Sequence, residues 1–230
     1  MRPNGDPEPS ENALLPVNPL QLKTDQCHAY DIVIWHLDQT LSGANPPPLQ
    51  MILHEEGGTG KSKVIQTITQ TFTQCGVSFM LLKSAYTGVA ASLIDGKTTQ
   101  TIRMISRNGH LLSSQTKVKL QAFWKNIVYL IIDEYLMISK SFLAKHSRNI
   151  GIGKTKGSVN NPESSHTNNS LGFGSINVIL CGDLHQFPPI AGVKRDPLYF
   201  SSLSTDSTNL KAGQMIYNEF MTVVMLHEQV

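Results

Sequence analysis

The run Gly57-Gly58-Thr59-Gly60-Lys61-Ser62 constrains what this chain can fold into more than any other feature. It follows a short apolar segment at 49–53 and precedes a stretch of helical character at about 62–74. A glycine-rich turn between a strand and a helix presents free backbone N–H groups at the helix N-terminus, where the helix dipole favours an anion. The glycines let the backbone wrap the anion, Lys61 has the reach to contact the outer phosphates of a nucleotide, and the Ser62 hydroxyl suits Mg²⁺. The competing reading is a plain strand-to-helix turn with a chance lysine, and the flanking strand and helix count against it. One position departs from the phosphate-loop pattern, which asks for glycine where this chain has Glu55, with Glu56 beside it. If the backbone there needs a conformation reserved for glycine, a side chain adds strain of about 1–3 kcal/mol. A carboxylate near a triphosphate would also repel it.

Apolar and helical patterns alternate along the rest of the chain. Strands are expected at 49–53, 78–85, 128–132, 176–181 and 221–226. Ala29, Ile32, Val33 and Leu37 recur at helical spacing after a capping Thr24 or Asp25, and further helices are expected at 62–74, 118–127 and 139–149. Val128-Tyr129-Leu130-Ile131-Ile132 is continuously apolar, as in a strand buried on both faces. This alternation predicts an α/β fold, a parallel sheet with helices on both faces. Trp35 and Trp124 lie in helical patterns and are expected in the core. Residues 1–19, rich in proline and without apolar periodicity, read as a disordered lead-in to one domain over 20–230. Residues 151–174, rich in Gly, Ser, Asn and Lys, read as a long mobile loop.

Two further segments add chemistry at strand ends, where open α/β sheets bind their ligands. Asp133 and Glu134 follow the 128–132 run. An isolated acidic pair would as readily cap the next helix, but with a phosphate loop upstream Asp133 is expected to hold Mg²⁺ and Glu134 to orient or deprotonate a water. Cys181-Gly182-Asp183-Leu184-His185-Gln186-Phe187-Pro188-Pro189 follows another apolar strand, and the Gln186 amide, both donor and acceptor, suits sensing of a γ-phosphate.

The segments 57–62, 85–91 (Ala-Tyr-Thr-Gly-Val-Ala-Ala), 131–137 and 182–189, in this order, resemble the Pif (petite-integration-frequency) family of superfamily-one DNA helicases, relatives of the RecD helicases. Thr24-Asp25-Gln26 resembles the family's glutamine motif, and 94–98 (Ile-Asp-Gly-Lys-Thr) continues the second segment as the family does. The resemblance spans about Leu20 to the chain end and is closest to fungal and transposon-borne members. It implies a RecA-like P-loop NTPase domain, the first of two in the family, using ATP and Mg²⁺ to unwind DNA 5′ to 3′. It further implies roles in telomere maintenance, repair and recombination, in the nucleus or mitochondrion. Carried over by residue, it implies that Gln26 bonds adenine and that Gly57, Gly58, Thr59, Gly60, Lys61 and Ser62 hold the phosphates. Ser62 and Asp133 would hold the metal, Lys61, Asp133, Glu134 and Gln186 would be catalytic, and Thr87 and Gly88 would contact single-stranded DNA. Departures from the family pattern are Glu55, Leu136 in place of a usual serine, and Gln100 in place of a common histidine. The family continues beyond the equivalent of 227–230 into an arginine-bearing motif and a second RecA-like domain, so little unwinding is expected of this polypeptide alone.

Composition adds limits. A formal net charge of +2 does not argue for nucleic acid by itself. Cys27, Cys75 and Cys181 are scattered, without metal or disulfide spacing, which fits a reducing compartment. No apolar run approaches the ~20 residues of a membrane span, and the N-terminus lacks the regions of a secretory signal. The alternative to a working motor is a non-catalytic remnant that retains nucleotide or single-strand binding. A decayed, poorly folding fragment would instead melt broadly. A guanine-recognition motif or a kinase lid is not visible, which disfavours a GTPase or a small-molecule kinase.

Overall fold

The computed structural model describes residues 15–103, 113–155, 172–183, 196–201 and 203–228. Six strands form one sheet: β1 (Gln50–Glu55), β2 (Leu81–Ala85), β3 (Lys97–Thr98), β4 (Tyr129–Asp133), β5 (Asn177–Asp183) and β6 (Thr222–Leu226), in the order β3-β2-β4-β5-β1-β6. Every pairing is parallel. The helices are α1 (Thr24–Leu41), α2 (Lys61–Gln74), α3 (Gly88–Leu93), α4 (Thr99–Arg103), α5 (Ser114–Trp124), α6 (Lys140–Lys154) and α7 (Thr208–Tyr217).

Side chains alternate across a strand, and here the alternation divides the interior into two cores. Met51 and Leu53, Tyr129 and Ile131, and Ile179 and Cys181 face Ala29, Val33 and Leu37 of α1 and Val64, Ile65, Ile68 and Phe72 of α2. Ile52, Leu130, Ile132, Val178 and Leu180 face Leu120 and Trp124 of α5 and Leu143 and Ile150 of α6. The α/β reading of the sequence, with helices on both faces, therefore holds.

Several local expectations change. Residues 78–80 form a 3-10 turn, and β2 begins only at Leu81. Helix α6 runs on through residues 151–154 and Gly172–Ser175 forms a 3-10 turn, so both ends of the expected 151–174 loop are ordered structure. Gly153 explains why a glycine-rich sequence stays helical: a Cβ there would lie 2.6 Å from Trp124 Cδ1, so its bareness serves the packing of α5 on α6. Pro19 opens a 3-10 turn at Pro19–Gln21, at the edge of the expected lead-in, most of which lies outside the described residues. Trp124 is fully buried, but Trp35 is 61% exposed. Helix α1 buries Gln26, Ala29, Val33, His36 and Leu37, and Trp35, two residues beyond Val33, points away from that face.

Gly213 sets how closely α7 approaches the start of α6. A Cβ on Gly213 would collide with the Lys140 carbonyl oxygen, a backbone atom that cannot swing aside. Gly213→Ala is expected to cost about 1–3 kcal/mol or more through overpacking. Denaturant unfolding would read this as a lower midpoint at unchanged slope, and an unchanged midpoint would exclude the tight contact.

Candidate functional site

The site forms at the C-terminal ends of β1, β4 and β5. Strand β1 ends at Glu55, and the chain turns through residues 56–60 into α2. Gly58 and Gly60 have φ of 86° and 83°, left-handed values that glycine adopts without steric cost, and they bend the loop back onto the helix N-terminus. Gly60 is the N-cap and offers no side chain to the open N–H groups of α2.

One of those groups, the Lys61 N–H, finds a partner in Glu55. Its Oε2 accepts hydrogen bonds from the Lys61 N–H and from the Thr59 hydroxyl, both at 3.2 Å. Its Oε1 pairs with the Lys61 ammonium at 3.1 Å, and Asp133 Oδ1 pairs with the same ammonium at 2.8 Å. Burial works against the charge on Lys61, but Asp133 and then Glu55 outweigh it and hold the ammonium well above the ordinary lysine range. Lys61 stays cationic. Glu55 is not among the residues with positive φ, so the backbone strain expected at this position is not what it contributes. It closes β1 in ordinary strand pairing, opposite Asp183 and Leu226.

The acidic pair splits into two roles. Asp133, the buried last residue of β4, also accepts the Glu134 N–H at 2.9 Å. Glu134 takes the left-handed conformation, with φ 55° and ψ 36°, and its side chain turns toward β2. There its Oε2 accepts from the Thr87 hydroxyl at 2.6 Å and from the Thr87 N–H at 3.0 Å. Thr87 is the N-cap of α3 as well, accepting from the Ala90 N–H at 3.3 Å. Gly88 opens α3, and a Cβ there would meet nothing within 4 Å.

Gln26, in the first turn of α1, is buried beside the phosphate loop. Its amide donates to the Thr59 carbonyl at 2.6 Å and accepts from the Lys23 N–H at 3.1 Å. It thus braces the loop. The next residue outward, Asp25, accepts from the His227 N–H at 3.1 Å just after β6, and this bond pulls its carboxyl below the usual range. Ser62 is half-buried in the first turn of α2. Gln186 lies outside the described residues. The structure therefore brings Gln26, residues 57–62 and Asp133 together around Lys61, with Thr87, Gly88 and Glu134 in an adjoining group.

Two participants went unassigned in the sequence. Asp183 Oδ2 would lie 3.3 Å from a Cβ on Gly57, so this acid flanks the loop; its place after a buried strand was the available signal. Cys181, beneath the site, is fully buried, which pushes its thiol up, and Asp133 adds to the shift; it is a packing thiol rather than a nucleophile.

A parallel sheet carrying a glycine loop at one strand end and a buried carboxylate at its neighbour's defines a P-loop NTPase domain of the RecA-like type. The family model described as PIF1-like helicase matches residues 21–221, and the chain belongs to that family. It is 30% identical over 139 residues to the ATP-dependent DNA helicase RRM3 of Saccharomyces cerevisiae, covering 58% of this chain and 17% of that protein. It is 26% identical over 146 residues to the human ATP-dependent DNA helicase PIF1, covering 62% of this chain and 20% of that protein. The chain thus spans no more than 20% of the length of these relatives. Among solved structures, the Candida albicans Pif1 helicase superimposes with a TM-score of 0.57 at 23% identity, over 91% of this chain and 40% of that one. A Bacteroides Pif1 in complex with ADP-AlF3 and ssDNA gives 0.54 at 17% identity, over 85% and 42%. These two likenesses support the fold.

Proposed function

We propose that this domain is the nucleotide-binding half of an ATP-dependent DNA helicase motor, with single-stranded or forked DNA as its track. The observation that carries the reading is the convergence of the Lys61 N–H, the Lys61 ammonium and Asp133 at the C-terminal end of the sheet, in a member of a helicase family. The glycine loop fits a phosphate chain: its donors already converge on a carboxylate, and a left-handed Gly58 leaves its outer face open. Lys61 and residues 57–60 would hold the phosphates, and Ser62 and Asp133 the magnesium. Mg²⁺, when bound, offsets phosphate charge and polarises the bond to be broken. Glu134 would orient the attacking water and accept its proton at a carboxylate oxygen, and Gln186 would sense the γ-phosphate. Gln26 would face adenine from its place against the loop.

Thr87 and the open Gly88 would meet the DNA backbone, a contact tolerant of base sequence. Unwinding 5′ to 3′, work in telomere maintenance, repair and recombination, and a nuclear or mitochondrial setting follow from the family reading. Among the described residues no helix is long and apolar enough to cross a membrane. The alternative of a binding remnant without turnover draws on Glu55 seated in the loop. Magnesium-dependent binding of a fluorescent ATP analogue, together with phosphate release that rises on adding single-stranded DNA, is the expected result for the motor. Binding without release, at high protein concentration, would select the remnant.

A further inference from the structure

We propose that the Glu55 carboxylate is the resident anion of the phosphate loop, and that a nucleotide enters by displacing it. The inference builds on the nucleotide-site reading above and concerns what that site must give up before it can be filled.

An N–H in the first turn of a helix and a lysine ammonium are the donors that such a loop offers a phosphate. Glu55 engages both, through Oε2 on the Lys61 N–H and Oε1 on the Lys61 ammonium, and takes the Thr59 hydroxyl besides. The chain path makes this possible. Glu55 ends β1 and Lys61 begins α2, so the side chain reaches back across its own loop to the helix it precedes. Gly60 cannot cap α2, and Glu55 does so in its place, setting a negative charge at the positive end of the helix dipole. Glycine at this position, as the phosphate-loop pattern has it, would leave those donors open.

Charge makes the occupancy exclusive. One ammonium already faces two carboxylates, Glu55 and Asp133. A triphosphate added to that set would place further negative charge against Glu55 in a buried pocket, where such repulsion is little screened. Asp133 is held by the end of β4, but Glu55 adjoins the exposed turn at 56–58 and has solvent to move into. Nucleotide affinity is then a difference: what the phosphates gain, less what Glu55 loses on leaving.

The test compares wild type with Glu55→Gly and Glu55→Gln, using a fluorescent ATP analogue with Mg²⁺ for affinity and residue-resolved hydrogen exchange of the Lys61 amide in nucleotide-free protein. Both variants are expected to bind the analogue about 10- to 100-fold more tightly, the range that follows from losing competing charge-assisted hydrogen bonds. The Lys61 amide is expected to exchange faster in Glu55→Gly than in wild type. Equal affinity in all three proteins would overturn the displacement, and equal exchange would overturn the carboxylate's seat in the loop. If none of the three binds the analogue although all are folded, the nucleotide reading falls and displacement with it. The exchange result would still decide whether Glu55 occupies the loop.

Discussion

Replacing Lys61 with methionine is expected to abolish binding of a magnesium-bound ATP analogue and to lower the unfolding free energy by about 3–5 kcal/mol, the cost of breaking a buried ion pair from one side. The loss of binding follows from removing the ammonium that meets Glu55 and Asp133 at the loop. The loss of stability follows from what stays behind. Lys61 and Asp133 side chains are 5% and 6% exposed, and Glu55 retains 13%, so methionine would leave two carboxylates unpaired, Asp133 buried and Glu55 at the rim of the loop. Adding Glu55→Gln to Lys61→Met should recover part of the stability, because one stranded charge is removed, but should not restore binding. Denaturant unfolding and titration calorimetry separate the two effects. Lys61→Met protein that still binds nucleotide would sink the phosphate-site reading, whereas unaltered stability would contradict only the buried triad.

Glu134→Gln is expected to reduce ATP turnover by about 10²–10⁴-fold, the range for loss of a general base, while nucleotide binding changes by no more than a few-fold. The side chain rests on the Thr87 hydroxyl at 2.6 Å, so in the proposed role it would have to release that hydroxyl to reach a water at the phosphates. Thr87 is also the residue proposed above to meet DNA, which would make the hydrogen bond a point where strand and nucleotide chemistry meet. Thr87→Val, which keeps the N–H bond and loses the hydroxyl, should raise basal turnover and blunt stimulation by single-stranded DNA. Thr87→Ser should behave as wild type. A Glu134→Gln enzyme of undiminished turnover would mean that another group activates the water. Loss of the helix cap at Thr87 is worth about 1 kcal/mol, so melting data must accompany the valine variant.

The parts of this fold that sequence reveals are those whose burial is continuous. Strand β4 sits in mid-sheet with both faces covered, and its five residues read as strand directly. The glycine loop is legible because its spacing serves one chemistry. What sequence conceals is short or anchored by few residues. Helix α3 has six residues and β3 two, too few for a period to show. Helix α7 buries only Leu210 and Gly213, and a glycine at a helix contact looks like a breaker until the neighbouring backbone is known. Trp35 misled because aromatic character says nothing of the face on which a helix carries it. Glu55 was visible as an exception, but its effect could be guessed only as strain or repulsion. The ion pair with Lys61 depends on a side-chain path that no pattern of residue types encodes.

Helix α1 begins with two consecutive side chains that grip different parts of the molecule. Asp25 holds the backbone at His227, immediately past β6, and Gln26 holds the carbonyl of Thr59. Peptide groups this close along a helix move as one stiff piece, so the pair works like a rocker arm pivoted on α1. A small travel of the loop at one end must be met by travel at the other, or one hydrogen bond must stretch. The linkage needs no additional element and runs through four residues, Thr59, Gln26, Asp25 and His227. Were the loop to shift as its occupant changes, Gln26 and Asp25 are the residues through which the chain just past β6 would register it.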